Sequence, residues 1–148
     1  MANSDLKEKT ILLVNSGSIK KKFILQRLKV LGLTIIVLNK EKNWAQPYVD
    51  HWIITDNKNY STATQDIERF LANNPQVKID GALTFWEDDV LLTSKIIDKF
   101  GLIGIPFSVA QHARNKFLFR KFCTDNNLPA PKFYPARSKN DIDRIANT

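Results

Sequence analysis

Short apolar runs rich in β-branched and aromatic residues recur along this chain, each closed by polar turn-forming residues. Residues 10–15 (TILLVN) run into Ser16-Gly17-Ser18, residues 34–38 (TIIVL) into Asn39-Lys40, residues 51–55 (HWIIT) into Asp56-Asn57, and residues 81–86 (GALTFW) into Glu87-Asp88-Asp89. A run that is apolar at successive positions buries both faces, the habit of strands in a parallel sheet covered by helices. Leu102-Ile103-Gly104, just ahead of Pro106, reads as a very short fifth strand. The pattern predicts an α/β fold built from βαβ units, with an open parallel sheet of four or five strands over about residues 10–105. The order of the strands does not follow from it.

The segments between the runs carry helix signals. Ser18 stands at an N-cap position, and Ile19, Phe23, Leu28, Val30 and Leu31 make an apolar stripe stopped by Gly32. Ser61 or Thr62 caps a helix with Ile67, Phe70 and Leu71, ending near Asn73-Asn74-Pro75. Asp88-Asp89 open a helix whose inner side is Val90, Leu91, Ile96, Ile97 and Phe100, and their charge suits its positive end. After residue 107 the character changes. Residues 108–112 read as one helical turn and residues 114–127 as a second helix, with Leu118, Phe119, Phe122 and Cys123 as its buried stripe. The prolines of Leu128-Pro129-Ala130-Pro131 force an extended exit. Residues 132–134 are then extended, and residues 140–145 start a helix that reads as the opening of a further domain. The organisation predicted is a sheet domain at 1–107, junction helices and a proline linker at 108–131, and the start of a second domain at 132–148.

Composition excludes several classes. One cysteine makes no intrachain disulfide, and the distant pair His51 and His112 makes no Cys/His zinc cage. No apolar run approaches the roughly 20 residues of a membrane helix, and the N-terminus (MANSDLKEKT) has no leader-like apolar core, so a reducing cytoplasmic compartment is expected. The net charge of +7 is divided along the chain: +6 over residues 1–42, −4 over 43–110 and +5 over 111–148. Basic ends around an acidic middle do not make the uniform cationic surface that nucleic acid needs.

In an open parallel sheet, ligands sit where the loops at the carboxyl ends of the strands meet. The first such loop, Asn15 to Ser18, has one glycine where a dinucleotide fingerprint requires three, so a tight NAD or FAD site is not expected. Lys20-Lys21-Lys22 beyond it fit a solvated helix face. Glu87, directly after an apolar strand, either points into the cleft to orient an amine, cation or arginine, or caps the helix that follows. Lys116 and Arg120, four apart, fall on one helix face, where two cations either face solvent or share an anion. Cys123 reads as a buried core thiol.

The strand GALTFWED, the segment GLIGIP and the stretch ARNKFLFRKFCTDNNLPAPKF follow one another in an order that resembles the beginning of ATP-grasp enzymes. In that family a Rossmann-like domain with helices on both sheet faces, as at the N-terminus of biotin carboxylase, precedes the nucleotide-binding core. The family junction of a lysine, a short helix with an arginine and a glP.P segment is matched by Lys116, Arg120 and residues 128–131; the stretch AQPYVDHWIITD resembles the approach to the third strand. The resemblance implies that Lys116 and Arg120 approach the nucleotide phosphates. It also implies that Ser16, Gly17 and Glu87 face the cleft for a small carboxylate or amine substrate. The reaction implied joins a carboxylate to an amine through an acylphosphate, with ATP and magnesium, beside a C-terminal ATP-grasp domain. On that expectation the present piece is inactive by itself. The alternative expectation is a non-catalytic α/β domain that binds a small anion or a partner protein.

Overall fold

A computed structural model describes residues 6–147 and assembles the four longer apolar runs into one all-parallel sheet, ordered β3-β2-β1-β4. Residues 1–5, part of the stretch read as lacking a leader, and Thr148, the end of the 132–148 segment, lie outside the described residues. Strand β1 (Thr10–Val14) lies between β2 (Thr34–Asn39) and β4 (Gly81–Leu83), and β3 (His51–Ile54) forms the far edge. The register sets Leu12 opposite Ile36 on one side and Ala82 on the other.

Both faces of the central strands are covered, as their unbroken apolar character requires. On one face Leu12, Val14, Ile36 and Leu38 pack with Ile67 of α2 (Tyr60–Asn73) and Leu92 and Ile96 of α3 (Val90–Phe100). On the other, Leu13, Ile35 and Val37 pack with Leu25 of α1 (Lys22–Val30) and with Ala45. Neighbouring residues divide between the two cores because side chains alternate across a strand. A helix on each face follows directly.

Several local expectations shift. The hydroxyl of Ser18 does cap a 3₁₀ turn, Ile19–Lys21, which leads into α1. The inward residues of α1, however, are Leu25 and Leu28, while Ile19, Phe23 and Val30 are 60%, 66% and 74% exposed. At about 100° per residue, Phe23 and Val30 share one side of the helix and Leu25 and Leu28 nearly the opposite one, and only one side can meet the sheet. The ion pair of Lys29 with Asp50, 2.9 Å, and the bond from Ile35 N–H to the same carboxylate, 2.8 Å, tie α1 and β2 to one anchor. Asn59 rather than Ser61 or Thr62 caps α2, its side-chain oxygen accepting from Thr62 N–H at 3.1 Å.

The fifth strand does not form: among the described residues the sheet has four. Gly101, with φ of +61°, ends α3 in the left-handed conformation, and Leu102 N–H then bonds back to Ile97 C=O at 3.0 Å. Gly104 lies so close to α3 that a Cβ there would stand 2.5 Å from Ile97 Cδ1. The segment folds back on its own helix instead of joining the sheet edge, leaving Ile103 96% exposed.

The chain divides into two compact units, residues 1–107 and 108–148. The second contains most of α4 (Phe107–Arg114), α5 (Lys116–Asp125) and α6 (Lys139–Ala146). The Asn115 side chain caps α5, accepting from Phe117 and Leu118 N–H at 3.0 and 3.2 Å. Of the stripe expected on α5, Cys123 is buried and free, but Phe119 and Phe122 are 52% and 46% exposed. So small a unit has too little apolar surface to cover four consecutive stripe positions. Residues 132–134 form no strand.

Candidate functional site

The order β3-β2-β1-β4 makes the chain step from β1 outward to β3 and return to the other side of β1 at β4, so the loops after β1 and β4 part company at a switch point. One carboxylate ties this edge together. Asn15, in the left-handed region with φ of +69°, accepts Gly17 N–H on its Oδ1 at 2.8 Å. Its Nδ2 donates to Asp89 Oδ2 at 2.7 Å, and Asn57, beyond β3, donates its Nδ2 to Asp89 Oδ1 at 3.4 Å. Three strand-end loops thus meet at Asp89, which is 6% exposed. Burial pushes its carboxyl above the ordinary carboxylate range; the two amide bonds oppose that rise and Asp88 adds to it.

The loop itself is held from all sides. Ser16 is 3% exposed, and its hydroxyl exchanges hydrogen bonds with the Asn43 side chain, accepting from Nδ2 at 2.8 Å. Trp44 Nε1 donates to Gly17 C=O at 2.9 Å. The Lys21 ammonium donates to Phe85 C=O and stands 4.8 Å from the centre of the Trp86 ring. Beside this loop opens a cleft of about 390 Å³ whose walls include Asn15, Lys40, Asp56, Lys58, Trp86 and Asp89. Carboxylates and ammonium groups share the lining, together with amides and an aromatic face, so it can hold a small polar molecule carrying charge of either sign.

Gly17 has φ of +66°, and a Cβ there would lie 3.4 Å from Trp86 Cε3. Gly17→Val is therefore expected to cost at least about 1–2 kcal/mol in backbone strain and to push Trp86 outward. A lower midpoint in urea denaturation followed by tryptophan emission is the expected result.

Of the residues singled out from sequence, Ser16 turns its hydroxyl to Asn43 and Gly17 forms the turn beneath Trp86. Glu87, itself exposed, begins the 3₁₀ turn Glu87–Asp89 and is not among the residues lining the cleft. Those three belong to the first unit. Lys116 and Arg120 belong to the second, the lysine exposed at the first residue of α5 and the arginine half-buried one turn later. The sequence reading passed over Asp89 and Asn57. A signal for Asp89 was present: among the three consecutive acids it alone is in helical phase with Leu92, Thr93 and Ile96, all buried.

No family model matches the sequence. Carnosine synthase 1 of Gallus gallus is 27% identical over 111 residues, 73% of this chain and 12% of that protein. An L-amino acid ligase from Bacillus licheniformis superposes with a TM-score of 0.78 at 22% identity, over 91% of this chain and 34% of that one. N5-carboxyaminoimidazole synthetase from Staphylococcus aureus, solved with ADP, gives a TM-score of 0.71 at 15% identity, over 97% and 36%. The chain thus spans about an eighth of that synthase and about a third of those solved chains. The four-stranded parallel sheet with helices on both faces is the fold that the L-amino acid ligase and the carboxyaminoimidazole synthetase share over about a third of their own chains.

Proposed function

We propose that this chain is the N-terminal domain of an ATP-dependent carboxylate–amine ligase that works through an acylphosphate beside a C-terminal ATP-grasp domain. The observation that carries the reading is the sequence shared with carnosine synthase 1 over 73% of the chain, on a fold shared with an L-amino acid ligase over 91%. In this proposal the cleft at the sheet edge receives the small carboxylate or amine substrate. Its mixed Asp and Lys lining supports that role, with the Ser16–Gly17 turn as support, and we assign Glu87, next to the lining residues Trp86 and Asp88, to the substrate side as well. Lys116 and Arg120, one helical turn apart, contribute positive charge toward the ATP phosphates.

In the reaction, a carboxylate oxygen attacks the terminal phosphorus and ADP leaves; the amine then attacks the acyl carbon and phosphate leaves. Magnesium, when bound, neutralises phosphate charge. Among the described residues no group of three or more His, Cys, Asp or Glu is placed to hold a metal ion. We place the domain in the cytoplasm, where a single thiol stays reduced.

Phosphate release from ATP is the test, using the domain joined to an ATP-grasp core and the domain alone, with mixed amino acids as substrates. Turnover that depends on both core and substrate is expected, with Lys116→Ala lowering it about tenfold or more through loss of one charge-assisted contact. Equal turnover in that variant removes the role given to Lys116; binding without turnover in the joined protein favours a non-catalytic domain.

A further inference from the structure

Helix α1 has a second apolar side that the sheet does not use. Phe23 and Val30 stand about 20° apart around its axis, and Ile19, in the 3₁₀ turn ahead of the helix, precedes Phe23 by about one turn. All three are mostly in water. Cations flank this ridge on both sides: Arg27 lies about 40° to one side of Phe23, and Lys22 and Lys29 about 100–120° to the other. Not one Asp or Glu occurs between Glu8 and Glu41, so neither the helix nor the two strands it connects contributes an acid. One acid does reach α1 from elsewhere, Asp50, and it is taken up by Lys29 and by Ile35 N–H. Lys22 stands 5.8 Å from the centre of the Tyr48 ring, whereas among the described residues Lys20 and Arg27 have no ion-pair partner. At the C-terminal end of the helix a hollow of about 180 Å³ opens between Lys7, Val30, Leu31 and Gly32. Glu8 N–H donates to Gly32 C=O there at 3.1 Å, and Glu8 is flanked by Lys7 and Lys9.

We propose that this side of α1 docks an acidic amphipathic helix of a partner protein, its apolar stripe on Ile19, Phe23 and Val30 and its carboxylates beside Lys20, Lys22 and Arg27. One apolar side chain of that helix enters the hollow at Gly32. Large apolar side chains in a row, rimmed by charged ones, mark a protein contact, whereas single ones scattered over a surface do not. Ile19, Phe23 and Val30 follow one another at four and seven residues, the spacing of anchors between packed helices. Charge chooses the partner. Against a second copy of α1 every flanking ammonium and guanidinium would meet its own kind, and like charges suppress that pairing. A flat bilayer would leave the hollow unfilled, while a helix lying along α1 sends a side chain into it, as ridges enter grooves. This side points away from the sheet, and the ligase reading makes no use of it.

Fluorescence anisotropy with the full 148-residue chain tests it. The probe is a labelled peptide of about three heptads with Leu at a and d and Glu at e and g, whose own charges keep it from pairing with itself; a second peptide carries Lys at e and g. The Glu peptide is expected to bind with a Kd of about 10–100 μM at low salt, as suits a small interface, and to weaken as salt rises. The Lys peptide should not bind. Phe23→Ala is expected to weaken the Glu peptide about tenfold, and Arg27→Glu to do the same while admitting the Lys peptide. Both side chains are exposed, so the melting curves of the two variants should match that of the natural protein. Equal affinity for the two peptides overturns the proposal, as does Glu-peptide affinity unchanged in Phe23→Ala or in Arg27→Glu, or no saturation by about 1 mM peptide. Binding to phosphatidylserine vesicles in place of the peptide overturns it in favour of a membrane, and dimerisation in sedimentation velocity that Phe23→Ala abolishes overturns it in favour of a second copy. Peptide binding that vanishes when the domain is joined to an ATP-grasp core also overturns it, because the core then covers this side; the ligase reading stands in that case.

Discussion

Leu25→Ala is expected to destabilise the first unit by about 2–5 kcal/mol, whereas Phe23→Ala, two residues earlier on the same helix, should stay within about 0.5 kcal/mol. Leu25 is 1% exposed and packs with Leu13, Ile35 and Val37, the sheet side chains on its face; Phe23 is 66% exposed. Truncating the leucine loses transfer free energy and leaves a hole between α1 and two central strands that cannot close without moving the sheet. Truncating the phenylalanine removes a ring that is mostly in water already. Thermal melts of both variants decide it: a fall of about 10 °C or more for Leu25→Ala and almost none for Phe23→Ala are expected. Equal falls would mean that α1 presents its other side to the sheet.

A second large effect is expected at Asp89. Asp89→Leu leaves Asn15 Nδ2 and Asn57 Nδ2 without their acceptor at the sheet edge, and two deprived amide donors cost about 2–5 kcal/mol together. Asp89→Asn behaves differently. Its carbonyl oxygen keeps the bond from Asn15, and its new NH₂ can meet Asn57 turned over, because Asn57 Oδ1 is buried and has no partner. The pH dependence separates charge from shape. The folded protein raises the Asp89 pKa, so the stability tied to this carboxyl is complete below the unfolded value of about 3.9 and is lost as pH rises through the higher folded value. Asp89→Asn carries no such loss. Urea midpoints should show the variant gaining on the natural protein from about pH 4 upward until the gain levels off above the folded pKa. Taking the difference between the two proteins at each pH removes the contributions of Asp80 and Asp141, whose pKa values move the other way. A constant difference across that range would show that Asp89 is ionised in the fold with no burial penalty.

How far the sequence carried depends on the range of the interaction. Strand β2 was legible because every residue from Ile35 to Asn39 is buried, and an unbroken TIIVL run has few other stable fates. Gly32 and Gly101 marked helix ends because left-handed backbone there favours glycine. On α1, by contrast, two apolar pairs faced opposite ways, and only packing chose between them. The GLIGIP segment had the composition of a strand, yet its approach to Ile97 took it away from the sheet. Ser16 was read as facing the cleft, but a hydroxyl beside the distant Asn43 turned inward instead.

The order of apolar runs and polar turns determined, without coordinates, that the chain is an α/β protein with a parallel sheet. It did so because the burial of both strand faces and the chirality of turns are local properties of short segments. Tertiary structure alone decided the strand order and the meeting of Asn15, Asn57 and Asp89. Those contacts at Asp89 join residues 74 and 32 positions apart, and no periodicity within one segment carries information about which distant side chain will lie across from it.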